Sequence, residues 1–156
     1  MPSIAELIQQ THFESPRQRV LINLIYSAGW AKSGSAAALK PLGLSWQQFN
    51  LMRILRGQGG KPVSMGLLAS RMLDPQSNAS RLVDKLVGKG FVTRVPCPED
   101  RRQVRVSLTD AGTRVLAEAS ERIRAFYESV GGDLTDAELT TLSDLLDRYR
   151  AGRGGG

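Results

Sequence analysis

Pro98-Glu99-Asp100-Arg101-Arg102-Gln103-Val104-Arg105-Val106-Ser107-Leu108-Thr109 is a charged turn that runs straight into an alternating apolar strand, and few folds use such a piece. Val104, Val106 and Leu108 fall on one face at period two, with Gln103, Arg105 and Ser107 on the other, which is the pattern of a half-buried strand. Ahead of it, Phe91-Val92-Thr93-Arg94-Val95 is a second short strand rich in β-branched and aromatic residues. Together they predict a hairpin. Its tip holds Pro96, Pro98 and the Glu99-Asp100-Arg101-Arg102 cluster, too long for a two-residue turn and too charged to be buried. A long hairpin with arginines at its tip, directly after a pair of helices, has the pattern of a DNA-binding wing.

The segments before the hairpin read as helices with identifiable starts. Ser15-Pro16 predicts an N-cap with proline at the first helical position, and Val20, Leu21, Leu24, Ile25, Ala28 and Trp30 follow at helical spacing as far as about Lys40. Pro41 and Gly43 end that helix. Ser45-Trp46-Gln47-Gln48 is a capping box, and Phe49, Met52, Ile54 and Leu55 give the next helix its apolar stripe. Ser64 caps a short helix with Leu67, Leu68 and Met72. Asp74-Pro75 then predicts a further helix from Pro75 to about Gly88, with Gly90 as its left-handed stop. On it Ala79, Leu82, Val83 and Leu86 form the buried stripe, while Gln76, Ser77, Asn78, Ser80, Arg81, Asp84 and Lys85 stay outside. Two short helices, a tight turn and a basic hairpin spell a winged helix-turn-helix.

Beyond the wing, Thr109-Asp110 predicts the start of a long helix through Val130, with a heptad seam of Leu116, Ala119, Ile123, Phe126 and Val130. Thr135-Asp136-Ala137-Glu138 is a second capping box, opening a last helix with Leu139, Leu142, Leu145, Leu146 and Tyr149. Such terminal helices exceed what a winged core of about 65 residues needs for burial. The fold class expected is mainly α with a small β-hairpin wing. Residues 1–44 are read as an N-terminal helical dimerisation region, 45–110 as the winged helix-turn-helix, 111–150 as C-terminal dimerisation helices and 151–156 as a disordered tail.

Charge follows the same division. Residues 1–44 carry four Lys/Arg and two Asp/Glu, residues 45–110 eleven and five, and residues 111–156 six and eight. A basic centre between near-neutral ends points to a polyanion as the partner of the centre alone. The single cysteine, Cys97, excludes an intramolecular disulfide, and no apolar run reaches signal-peptide or membrane-span length, so a soluble cytoplasmic chain with no membrane partner is expected. His12 is the only histidine, no Cys/His cluster is present and no glycine-rich phosphate loop follows a strand, which leaves catalysis, a metal and a cofactor without support.

The chain resembles the MarR family of bacterial transcriptional regulators from residue 17 to residue 150. The wing carries the likeness through Asp100-Arg101-Arg102-Gln103-Val104-Arg105-Val106-Ser107-Leu108-Thr109, which fits the family's Asp-x-Arg, three residues, then Val-x-Leu-Thr. Leu68-Ala69-Ser70-Arg71-Met72, the run Ser77 to Leu86, and Lys89-Gly90-Phe91-Val92 match as well. One departure is local: Leu73-Asp74-Pro75-Gln76 stands where the family's turn usually reads Gly-Leu-Asp-Arg, and Pro75 has no amide to offer a phosphate. The resemblance implies a homodimer whose terminal helices interleave, and a repressor released by a small aromatic or phenolic effector.

The expected partner is double-stranded DNA, met by a recognition helix about 20 Å long in the major groove. Gln76, Ser77 and Asn78 are candidates for base contacts, since amide side chains pair bidentately with adenine edges; Ser80 and Arg81 follow one turn deeper, and Lys85 is expected on the backbone. In the wing, the resemblance assigns Arg102 to the minor groove. Asp100 is read as orienting Arg101 or Arg102, and Arg94 and Arg105 as lying near the DNA backbone. His12, Tyr26 and Trp30 are the candidate effector-pocket residues. Alternatives stay open: a redox-responsive regulator through Cys97, whose cationic neighbours favour a thiolate, a sequence-indifferent nucleoid-type protein, or a winged helix used for protein interaction. Peroxide-sensing members of the family carry their reactive cysteine near the N-terminus, where this chain has none.

Overall fold

The structure, a computed structural model, describes residues 2–10, 12–73, 78–96 and 104–152. In chain order the elements are α1 (Ile4–Leu7), α2 (Pro16–Leu39), a 3-10 turn (Lys40–Leu42), α3 (Trp46–Arg56), β1 (Val63–Ser64), α4 (Met65–Arg71), α5 (Ala79–Gly88), β2 (Val92–Pro96), β3 (Val104–Leu108), α6 (Asp110–Glu128) and α7 (Asp136–Ala151). They form two compact units, Met1–Ile123 and Arg124–Gly156. This is the mainly helical fold with a small antiparallel sheet that the sequence predicts.

Most helices begin where a side chain satisfies the orphan amides of the first turn. Ser15 Oγ accepts from Gln18 N at 3.2 Å, Ser64 Oγ from Leu67 N at 3.3 Å, and Thr109 Oγ1 from Gly112 N at 3.0 Å. Capping boxes close around Ser45 and Gln48, and around Thr135 and Glu138. A third, Ser3 with Glu6, opens α1. Glu6 and Glu138 each sit below the usual carboxylate range, because a backbone amide donates to the ionised oxygen and the capping hydroxyl adds to it.

The core of the first unit gathers Leu39 from α2, Phe49, Leu51, Met52 and Leu55 from α3, Leu68 from α4, Val83 and Leu86 from α5, Val92 and Val106 from the sheet, and Leu116, Ala119 and Ile123 from α6. The sheet order is β1-β3-β2, all antiparallel. Val63 opposes Val106 on one side of β3, and Arg94 opposes the same Val106 on the other. β2 is therefore an edge, and it ends on Pro96. In the second unit, the end of α6 and α7 flank a turn, and none of the residues of α7 is buried.

Four sequence expectations are corrected. The helix expected from Pro75 starts at Ala79, because Asn78 is extended (φ −75°, ψ 92°) and its side-chain oxygen takes the Arg81 amide as an N-cap. Val104, placed with Val106 and Leu108 on the buried face of the strand, is 40% exposed: it pairs with Pro96 at the loop end of the hairpin, farthest along the strands from the Val92–Leu108 pair. α6 stops at Glu128, leaving Val130 in the following turn. Ala151, counted with the tail, is the last residue of α7, which the Gly152 amide closes by donating to Arg148 O.

Candidate nucleic-acid interface

α5 is the element that presents the polar candidates. At about 100° per residue, Ala79, Val83 and Leu86 face the core, while Ser80, Arg81, Asp84 and Lys85 spread over the exposed side. Ten residues make α5 about 15 Å long, enough to lie in a major groove. Its end is fixed by a Schellman turn: Phe91 N donates to Leu86 O at 3.0 Å and Gly90 N to Val87 O at 2.9 Å, with Gly90 at φ 71° where only glycine is unstrained. β2 therefore starts a few residues after the helix, and the wing's direction is set by that turn.

Both flanks of α5 are tied to neighbouring elements. On one side, the Asp84 carboxylate accepts from the Arg94 guanidinium on β2. On the other, Lys89 Nζ, just past the helix, donates to Gly43 O and to Gln48 Oε1, the latter at 3.4 Å. Gln48 is buried and its oxygen also takes the Ser45 amide at 3.1 Å, so one side chain caps α3 and anchors the end of α5. The wing base is held in turn to α6: Thr109 Oγ1 donates to Gly90 O at 2.7 Å, Thr109 N to Phe91 O at 3.1 Å, and Gly112 lies against the Phe91 carbonyl.

Ser80, Arg81 and Lys85 are thus exposed together on α5, with Arg94 beside them. Asn78 lies at the helix start with its oxygen committed to the cap, so the bidentate amide pairing expected of it is not available in this geometry. Arg105 is half-buried on β3, opposite Val95 and Ser64. Gln76, Ser77, Cys97, Asp100, Arg101 and Arg102 lie outside the described residues. Tyr26 and Trp30 sit one turn apart on the exposed part of α2, and His12 is exposed ahead of that helix. These three do not line the open groove of about 680 Å³ that lies between the end of α2, the α2–α3 connection and α5, walled by Ala36, Ala37, Leu44 and Leu82 with Lys40, Lys85 and Lys89 around it. Asp84 and Lys89 are site residues to which the sequence assigned no partner, and Gln48 gains Lys89 beside the capping contact the sequence predicts.

An exposed polar helix, preceded by a short helix and followed by a two-stranded antiparallel hairpin, defines a winged helix-turn-helix DNA-binding protein. A family model described as MarR family matches residues 44–104. The uncharacterized HTH-type transcriptional regulator YpoP of Bacillus subtilis (strain 168) is 35% identical over 105 residues, 67% of this chain and 73% of YpoP. The chain belongs to the MarR family of transcriptional regulators. The multiple antibiotic resistance protein MarR of Escherichia coli (strain K12) is 30% identical over 112 residues, 70% of this chain and 76% of that protein. A crystal structure of a mutant E. coli MarR complexed with operator DNA matches with a TM-score of 0.73 at 24% identity, over 96% of this chain and 99% of that one. The organohalide-sensing regulator RdhR-CbdbA1625, in its 2,4-dichlorophenol-bound form, shares the fold with a TM-score of 0.80 at 21% identity, over 92% of this chain and 87% of that one. Among the described residues, no helix is long and apolar enough to cross a membrane.

Proposed function

We propose that this chain is a homodimeric, sequence-specific regulator that binds a pseudo-palindromic operator through α5 and the wing, and acts as a repressor released by a small aromatic or phenolic effector. The observation that carries the reading is the exposed face of α5, with Ser80, Arg81 and Lys85 framed by the β2–β3 hairpin. In this reading α5 enters the major groove, Lys85 meets phosphate, and the arginine tip from Arg101 to Arg102 reaches the minor groove. Residues 45–110 form the DNA-binding part.

Dimerisation is supported by apolar side chains that one chain leaves exposed: Leu21, Ile25 and Trp30 on α2, and Leu139, Leu142, Leu145 and Tyr149 on α7. Water-facing rows of this kind are costly to leave uncovered, and a second copy of residues 1–44 and 111–150 is the proposed cover. Two recognition helices related by a two-fold axis require half-sites about 34–36 Å apart, one turn of duplex. The groove beside Lys85 and Lys89 falls within the size range of about 300–1,000 Å³ typical of ligand sites, and is the room available to an effector.

Selection of duplexes from a random pool, followed by titration of the winners against salt, tests the proposal. Enrichment of an inverted repeat bound by a dimer, with affinity falling steeply as salt rises, is the expected result. Equal affinity for selected and random duplexes would instead identify a nucleoid-type protein, and loss of binding on peroxide treatment a redox regulator working through Cys97.

A further inference from the structure

Asp84 is the one acidic residue of α5, and it stands on the face just proposed to meet DNA, four residues after Ser80 and three after Arg81. Duplex DNA carries about one negative charge per 1.7 Å of its axis, so a bare carboxylate there opposes binding. The structure does not leave it bare. Period-two alternation puts Val92, Arg94 and Pro96 on the same face of β2, and Val92 on that face is buried in the helical core. Arg94, one step further along, is therefore directed towards α5, where its guanidinium meets the Asp84 carboxylate.

We propose that Arg94 is a positioning residue: it neutralises Asp84 and fixes the first wing strand against the recognition helix, rather than contacting a phosphate itself. This rests on the DNA-binding reading above. Both side chains are about half exposed, at 45% and 59%, so the pair adds little to folding stability and its effect is to be read in DNA binding. The register supports the assignment. Moving Arg94 by one position would turn it to the opposite face of the sheet, away from Asp84.

The test uses the full chain and the duplex it selects, comparing wild type, Arg94→Gln, and Arg94→Gln combined with Asp84→Asn. Arg94→Gln exposes the carboxylate and is expected to weaken binding by about tenfold, a coupling typical of paired charges. Adding Asp84→Asn removes the uncovered charge, so the double variant recovers to within about threefold of wild type, and its salt slope stays at the wild-type value. Thermal midpoints of all three should coincide, which separates the effect from misfolding. A double variant that stays as weak as Arg94→Gln, with a salt slope lower by about 0.9, shows that Arg94 contacts a phosphate and overturns the proposal. Unchanged affinity in Arg94→Gln overturns it equally. A wild-type protein without salt-dependent duplex binding removes the DNA-binding reading itself, a distinct outcome.

Discussion

Gly112→Ala is a sharp test of how the wing is joined to α6. A Cβ at residue 112 would stand 1.9 Å from the Phe91 carbonyl oxygen and 2.8 Å from its carbon, where ordinary contact begins at 3.4 Å. The helix or the strand base must therefore move by about 1.5 Å, the difference between 3.4 and 1.9 Å. The Phe91 peptide cannot swing aside cheaply, since its oxygen accepts from Thr109 N and its own amide donates to Leu86 O. Alanine gains about 1 kcal/mol over glycine in a helix. Against that stand an overpacking cost of about 1–3 kcal/mol and about 0.5–1.5 kcal/mol for each strained hydrogen bond. The expected net change is a loss of about 1–3 kcal/mol, which lowers the melting temperature by several degrees in a chain of this size. Gly66→Ala is the control: residue 66 lies in α4, is exposed and has nothing within 4 Å of an added Cβ. It should gain up to about 1 kcal/mol. Thermal and urea unfolding at matched protein concentration would measure both, because a dimer's midpoint depends on concentration. If Gly112→Ala melts as high as Gly66→Ala, the close contact with Phe91 is not what holds the junction.

Gln48→Ala leaves the part-buried Ser45 amide without its side-chain acceptor and Lys89 without one of its two, and should cost about 0.5–1.5 kcal/mol in urea unfolding, whereas Gln48→Glu keeps both contacts and stays near wild type. Glu138 should titrate below its ordinary value of 4.5 when followed by NMR, and return towards it in Thr135→Ala. Because its folded value is lowered, its share of stability is present above 4.5 and is lost as pH falls through the folded value; a midpoint at 4.5 in the wild type would remove the capping account. Arg102→Ala should weaken binding to the selected duplex by about 1–3 kcal/mol, while Lys85→Ala mainly reduces the salt slope by about one; a gel-shift titration showing an unchanged Arg102 variant refutes the minor-groove role.

Local chemistry was readable from the sequence, and contacts between distant residues were not. The starts at Ser15, Ser45, Ser64 and Thr135 follow from caps within a few residues of the helix they open. The strands around Val92 and Val106 follow from period two, and Gly90 marks the helix end. The start of α5 was misread because Asp74-Pro75 and Asn78 are both competent caps, and sequence alone does not rank them. β1 was missed because two residues carry no periodicity; its pairing with β3 is created by the fold. The same holds for the Lys89 contact to Gly43, 46 residues away in the chain. The sequence puts Asp84 on the outer side of its helix and Arg94 near the DNA backbone, but their pairing needs the register of β2 against α5. The exposure of Val104 comes from its place at the loop end of the hairpin, which alternation alone does not reveal.

The asymmetry of the small sheet bears on how this chain avoids sticking to itself. β3 lies between β1 and β2, and Val106 at its centre has a partner on each side, Val63 and Arg94. Among the described strands, β1 and β2 are the two edges; β1 has only two residues, and the longer border, that of β2, carries Arg94 and ends on Pro96, which has no amide to lend to a ladder. An unpaired strand border is a template for pairing with a strand of another chain. A charge and a proline on β2 make that border a poor template, so the sheet can keep a free edge without recruiting its neighbours into aggregates.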